Sequence, residues 1–439
     1  MILQSETRDA PLGVPRSTAM GRDAIGVVRL VPTCAAGQTA PSRGIVDQAP
    51  ATCAPEARLV FSLAAGAAPS DSSLTDGSPF DWTRALRIAW DEGATHALRD
   101  HVRGLPTGVV PRDVERQLAC LALEREMRMR MLQQRTAESV AALATAGIDA
   151  ALLKGAALAM TVYGSFAARP MKDVDILVAP RVADEAKRLL LGVGWAPDPE
   201  LPGDDVYATH HHLAPLIDRL GSRSRLEIHR ELLPSGHPFH LAISDLWDDR
   251  HAVRVGGERA FVLDPNQHAL HITIHFAWSH AMTSGGWNAF RDLHAMSRAG
   301  MIDWQRLVGL ARAARAGTCC YWTLALAQSM SGLAVPAGVL ESLAPPISTA
   351  IRMRLERHFV QVLLREDAAL SSVRLARSLW ATAIQPERQG HRRARPWLAS
   401  PGLTAVRLQR GPLPSAERND SLPGRVAACA GYLARLLWS

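Results

Sequence analysis

The run Asp173-Val174-Asp175-Ile176-Leu177-Val178 most narrows what this chain can fold into. Its polar and apolar residues alternate with period two. An extended strand therefore puts Asp173 and Asp175 on one face and Val174, Ile176 and Val178 on the other. The apolar face requires a core, and the two carboxylates on the opposite face repel each other. Something positive must stand near them, and a divalent cation with oxygen ligands meets that need.

The neighbouring sequence predicts a small α/β unit around this strand. Ile148 to Leu153 reads as a buried strand, Gly155 as a tight turn, Ala156 to Tyr163 as a helix, and Val174 to Val178 as a second strand. A helix from Val182 to about Leu191, then strands over Tyr207 to Ile217 and Arg225 to Leu232, complete a unit over residues 146–235. Upstream, residues 79–145 carry apolar residues three and four apart, with Pro111 early in the second helix and Gly147 closing it. A stripe of Leu118, Leu121, Met127 and Met131 is assigned to the core. Helical periodicity returns after Asp264-Pro265, so 236–350 is expected to be helical. Residues 351–439 continue as helical, loop-rich chain and end in the helix-like GRVAACAGYLARLLWS. Residues 1–78 are rich in Ala, Pro, Gly, Ser and Thr and are expected to be disordered or loosely packed.

Composition excludes several classes. At 439 residues, with 47% hydrophobic and 21% charged residues, the chain has the make-up of a globular protein of about two or three domains. The net charge of +7 permits an anionic partner, but no Lys/Arg block is dense enough to indicate nucleic acid. Six cysteines without a CxxC spacing read as free thiols rather than a zinc or disulfide framework. Neither a leader-like apolar region nor a run of about 18 apolar residues is present, so a soluble cytoplasmic protein without a membrane span is expected. Absence of GxxxxGK[ST] disfavours a P-loop.

The remaining motifs supply a chemistry for the aspartates. Two-metal phosphoryl and nucleotidyl transfer needs carboxylates that hold both ions about 4 Å apart. Asp173 and Asp175 offer a pair, and Glu227 in RLEIHREL offers a third acid from another strand, with His229 on the same face. In ALLKGAAL a strand runs into a glycine turn and a helix, where Lys154, Gly155 and Ala156 could receive a triphosphate on backbone N–H groups. Arg169 and Lys172 stand between that turn and the acids, as cations for phosphate charge.

In this order the motifs resemble the nucleotidyltransferase superfamily with the DNA polymerase β-like fold. LLKGAAL, Arg169, DVDILV and LEIHREL are similar to a large, mostly uncharacterised bacterial nucleotidyltransferase family, over about residues 80–340. The resemblance implies an α+β fold, a small mixed-sheet core flanked by N- and C-terminal helical regions, with residues 236–350 shaping an acceptor pocket. It implies magnesium, or manganese, on Asp173, Asp175 and Glu227, and Glu227 as base toward the acceptor. A nucleoside triphosphate, with ATP expected, would be the donor. The acceptor is open between a small molecule, a sugar, a peptide and a protein. His275 and Asp292 match family positions with His and Asp, and with His229 they are candidates for contacting the acceptor or supporting the site. The turn of the wider superfamily usually carries Gly-Gly or Gly-Ser where this chain has Gly155-Ala156. That departure keeps a second reading open, a catalytically inactive module of the same fold that binds nucleotide or protein, accessory to a biosynthetic system.

The other histidines point elsewhere. His210-His211-His212, taken as strand, cannot place three rings on one face, so surface or interface histidines are expected rather than zinc. His271 and His275 stand four apart on a helix without the glutamate of HExxH and are read as core-facing or site-lining.

Overall fold

A computed structural model describes residues 53–67, 69, 79–222, 224–280, 286–364 and 370–386. Among these residues lies one seven-stranded mixed sheet with helices before, within and after it, an α+β architecture. The strands are β1 (Ala151–Leu152), β2 (Asp173–Leu177), β3 (Trp195–Pro197), β4 (Leu216–Asp218), β5 (Arg225–His229), β6 (His251–Val255) and β7 (Glu258–Val262), in the spatial order β3-β4-β5-β2-β1-β7-β6. β2 is parallel to β5 and antiparallel to β1, and β1 is parallel to β7. The register sets Asp175 directly beside Glu227.

Four helices precede β1: α1 (Pro55–Ala65), α2 (Trp82–Asp91), α3 (Thr95–Gly104) and the long α4 (Arg112–Thr145). α5 (Lys154–Thr161), α6 (Ala183–Gly192) and the one-turn α7 (Asp204–Tyr207) lie between strands. After β7 come α8 (Pro265–His275), running into a π-helical turn at Phe276–His280, then α9 (Trp287–Arg298), α10 (Trp304–Ala313), α11 (Gly317–Ser331), α12 (Ala337–Leu343), α13 (Thr349–Leu363) and α14 (Leu370–Ala383).

The sheet separates two cores. On one face Val174, Ile176, Leu226 and Ile228 pack with Met129, Leu132, Val140 and Leu143 of α4 and with Ala186 and Leu190 of α6. On the other, Leu153, Leu158 and Leu177 join a larger helical core that includes Phe276, Phe290, Trp322 and Phe359. Strand alternation thus aims Val174 and Ile176 at α4, and Asp173 and Asp175 at the helices that follow the sheet.

Several expectations change. The sheet does not close at residue 235, because β6 and β7 extend it through a hairpin turned by Gly256 and Gly257, both at positive φ. A side chain at Gly256 would also meet the Cβ of Ala137 on α4 at 2.8 Å. Tyr207 to Ile217 is not one strand: Tyr207 ends α7, His212 makes an isolated bridge to His229, and strand pairing begins at Leu216. Met127 and Met131 are exposed, at 57% and 41%, while Leu118, Met129 and Leu132 are buried. α4 has apolar residues on several faces; the helical core takes Leu118 and the core under the sheet takes Met129 and Leu132, which follow the helical repeat. The expectation of a loose segment up to residue 78 fails at α1, whose Phe61 stacks on Trp287 at 4.7 Å. The remainder of that segment is largely outside the described residues, as is the helix expected near the C-terminal end. Among the described residues no helix is long and apolar enough to cross a membrane.

α8 begins where Asp264 caps it, its carboxylate accepting from Asn266 N at 3.0 Å and Gln267 N at 3.3 Å, with Pro265 in the first turn. Replacing Asp264 by alanine is expected to lower stability by about 1 kcal/mol, read as a lower urea midpoint with unchanged slope. An unchanged midpoint would mean that Pro265 alone sets the helix start.

Candidate active site

Asp175 is buried at the centre of a compact charge cluster. Lys154 Nζ donates to its Oδ1 at 2.8 Å, and His229 Nε2 donates to the same oxygen at 2.9 Å. His229 Nε2 also lies 3.6 Å from Glu227 Oε2. Burial by itself would raise the Asp175 pKa, but Lys154 and His229 hold it well below the usual carboxylate range. The same contacts act on the cations. Desolvation opposes the charge on Lys154 and on His229, yet the neighbouring acids outweigh it and raise both pKa values. Among the described residues Asp173 has no such hydrogen-bonded cation. The residue is exposed, yet desolvation of its carboxyl and then the charges of Asp175 and Glu227 push its pKa up to about 7. Glu227 is held below its ordinary value: desolvation works against this, and His212 and His229 overcome it.

The turn carrying Lys154 is built unlike the expected one. Lys154 itself, the first residue of α5, takes the left-handed conformation, φ +45, a position that costs a residue with a Cβ roughly 1–2 kcal/mol. Gly155 serves close approach instead: a side chain there would meet the Arg169 guanidinium at 3.3 Å. Gly155 and Ala156 are both buried. Arg169 is therefore not a free cation facing solvent. Its Nε and Nη2 donate to Asp292 at 2.8 and 2.6 Å, its Nη1 donates to the Pro170 carbonyl at 2.7 Å, and Tyr163 Oη donates to Asp292 at 2.9 Å. Arg169 so ties the turn to α9. Lys172 is exposed beside Asp173 and has no ion pair among the described residues.

Asp175, Glu227 and His229 present ligand atoms within 4.8 Å of one another, and Asp173 stands on the same strand face. The two carboxylates with this spacing fit a hard divalent cation, and Asp173 is the next acid along the strand. His271, His275 and His280 lie in sequence along α8 and its π-helical turn, with His275 and His280 rings 5.0 Å apart. Desolvation, then the charge of Lys154, lowers the pKa of all three, so they present neutral imidazoles toward the site. Asp292 lies in the Arg169 pair, away from direct contact with the acids.

The sequence model of a family described as uncharacterised nucleotidyltransferase matches residues 78–332. The chain belongs to that family. No curated protein and no solved structure matches it. The structure brings together Asp173, Asp175, Glu227, His229 and Lys154. It keeps Arg169 and Asp292 as a separate buried pair beneath the turn.

Two features escape the sequence. The three rings of His210, His211 and His212 converge, with centroids 4.2 to 4.8 Å apart, because the chain there turns rather than extends. The expectation that they could not share one locus fails for that reason. Tyr163 and its contact with Asp292 carried no local signal, since the two positions meet only in the fold.

Burial alone would raise the pKa of Asp292, but Arg169 lowers it below the usual carboxylate range. The stability this pairing confers is complete above that range and is lost as pH falls through the depressed value. Asp292→Ala should cost about 3–5 kcal/mol, because Arg169 is left charged and buried, whereas Tyr163→Phe should cost about 1 kcal/mol. Urea unfolding measures both. The double replacement Arg169→Met with Asp292→Leu is expected to recover most of the loss and to flatten the acid side of the stability profile. Equal losses in single and double variants would show that packing, not charge, dominates there.

Proposed function

We propose that the chain transfers a nucleoside monophosphate from a nucleoside triphosphate, ATP in the first instance, to an acceptor oxygen. The oxygen attacks the α-phosphorus, the bond to the β-phosphate oxygen breaks, pyrophosphate leaves, and the acceptor proton passes to Glu227. Family membership supports the reaction class. The observation that carries the site assignment is the β2–β5 register, which sets Asp175 beside Glu227 with Asp173 on the same strand face. Asp173, Asp175 and Glu227 would hold magnesium, with manganese as substitute; such ions, when bound, neutralise phosphate charge and the leaving pyrophosphate.

Each nearby side chain then has a role. Lys154 and Lys172 offer positive charge toward the triphosphate, and Gly155 and Ala156 shape the backbone that receives it. Arg169 acts indirectly, holding that backbone in place from below. His229 keeps Asp175 ionised, and the neutral histidines of α8 line the approach to the acids. The acceptor is a small metabolite, sugar, peptide or protein group, contacted by the helical region after the sheet.

A binding module without turnover is the second reading. It is favoured by one observation, that Lys154 and His229 already neutralise Asp175. Calorimetric titration of the four ribonucleoside triphosphates with magnesium is the first test. Asp173→Ala with Asp175→Ala should weaken magnesium-dependent binding at least tenfold; equal binding by the variant would sink the site assignment. Pyrophosphate release then separates the two readings, since only an enzyme produces it.

A further inference from the structure

We propose that His210, His211 and His212 form a binding site for a borderline-soft divalent transition ion, zinc, cobalt(II) or nickel(II), next to the carboxylate site and with its own three nitrogen ligands. One ligand nitrogen from each ring lies within 4.8 Å of the other two. His210 Nδ1 and His211 Nδ1 are buried and have no hydrogen-bond partner among the described residues. Two buried acceptors or donors without partners carry a desolvation cost, and a metal ion would remove it. His212 is arranged as metal-binding histidines commonly are. Its Nδ1 lies 2.8 Å from the Leu213 carbonyl, which places the proton there and leaves the Nε2 lone pair open, 3.8 Å from Glu227 Oε2.

The loop that carries these rings is fastened from several sides. Arg230 donates through Nε to the His210 carbonyl at 2.9 Å and through Nη2 to the carbonyls of Tyr207 and Ala208. The backbone N–H groups of Arg230 and Glu231 both donate to the His211 carbonyl, at 2.9 and 3.1 Å, and Leu213 N donates to the Ile228 carbonyl at 2.9 Å. The Tyr207 ring packs on His210 and His212, with centroids 5.5 and 5.3 Å away. Backbone positions are thus set before any ion arrives, and only side-chain rotation is needed to close the nitrogens to the roughly 3.3 Å separation of a tetrahedral site.

Donor chemistry selects the ion. Three imidazoles suit zinc, cobalt and nickel, whereas magnesium and calcium require oxygen. Glu227 or water would supply the fourth ligand. If it is Glu227, the same carboxylate touches both sites, and an ion on the histidines would fix its orientation toward Asp175. The proposal does not depend on nucleotidyl transfer.

The test uses full-length protein without a histidine tag, stripped with chelator and titrated with cobalt(II) chloride in excess magnesium, followed by visible absorption and calorimetry. One equivalent is expected, with the intense ligand-field bands of a tetrahedral ion, displaced by zinc. His210→Ala with His211→Ala should lose the bands and at least tenfold in affinity. Asp173→Asn with Asp175→Asn should keep both. If the double histidine variant does not fold, judged by circular dichroism, His210→Gln alone is expected to weaken cobalt at least tenfold. No binding by the wild type, unchanged binding by the histidine variants, or loss in the aspartate variant would each overturn the proposal.

Discussion

The buried carboxylate of Asp175 governs how the rest of this molecule is arranged. A lone ion at that depth would be costly, so the fold surrounds it with Lys154 from the turn after β1 and His229 from β5. Both donors converge on one oxygen. That convergence requires β1, β2 and β5 to be neighbours, which the central part of the sheet provides. The other carboxylates settle around it with unequal proton affinities: Asp173 crowded upward, Glu227 drawn down by imidazoles.

A second charge pair, Arg169 with Asp292, links this arrangement to the helices that follow the sheet. Arg169 belongs to the loop before β2 and Asp292 to α9. Their bidentate contact lies under Gly155, so the backbone at the head of α5 rests on a guanidinium. Buried pairs of this kind confer geometry more than net stability. Here the geometry is that of the turn beside the acids. It explains why glycine stands at 155 although the left-handed backbone is at Lys154.

Much of the site was legible because it is local. The alternation in DVDILV needs only one buried face to be read, and the third acid shows the same period in LEIHREL. What could not be read was pairing between distant segments. Nothing near Arg169 announces Asp292, and nothing in the two strands states that Asp175 meets Glu227. The histidine triplet was misplaced because an extended backbone was assumed; the turn there is held by Arg230, which lies well downstream. Helix α4 does not show its core face in sequence, since apolar residues occur on several sides and contact with the preceding helices at one end and with the sheet at the other decides among them. Two further elements do carry local signals: Pro55 and Gly66 bracket α1, and Gly256-Gly257 marks the β6–β7 hairpin.

The chain's only lysines are Lys154, Lys172 and Lys187. Two flank the carboxylates, and the third pairs with Asp204. Amine-directed reagents, which modify most proteins at scattered places, are therefore confined on this chain to very few side chains. Lys172, exposed, is the ready target. Lys154 is shielded by its contact with Asp175, and its amine becomes nucleophilic only when that carboxylate releases it. The acylation rate at Lys154 is thus a built-in gauge of whether its contact with Asp175 is closed.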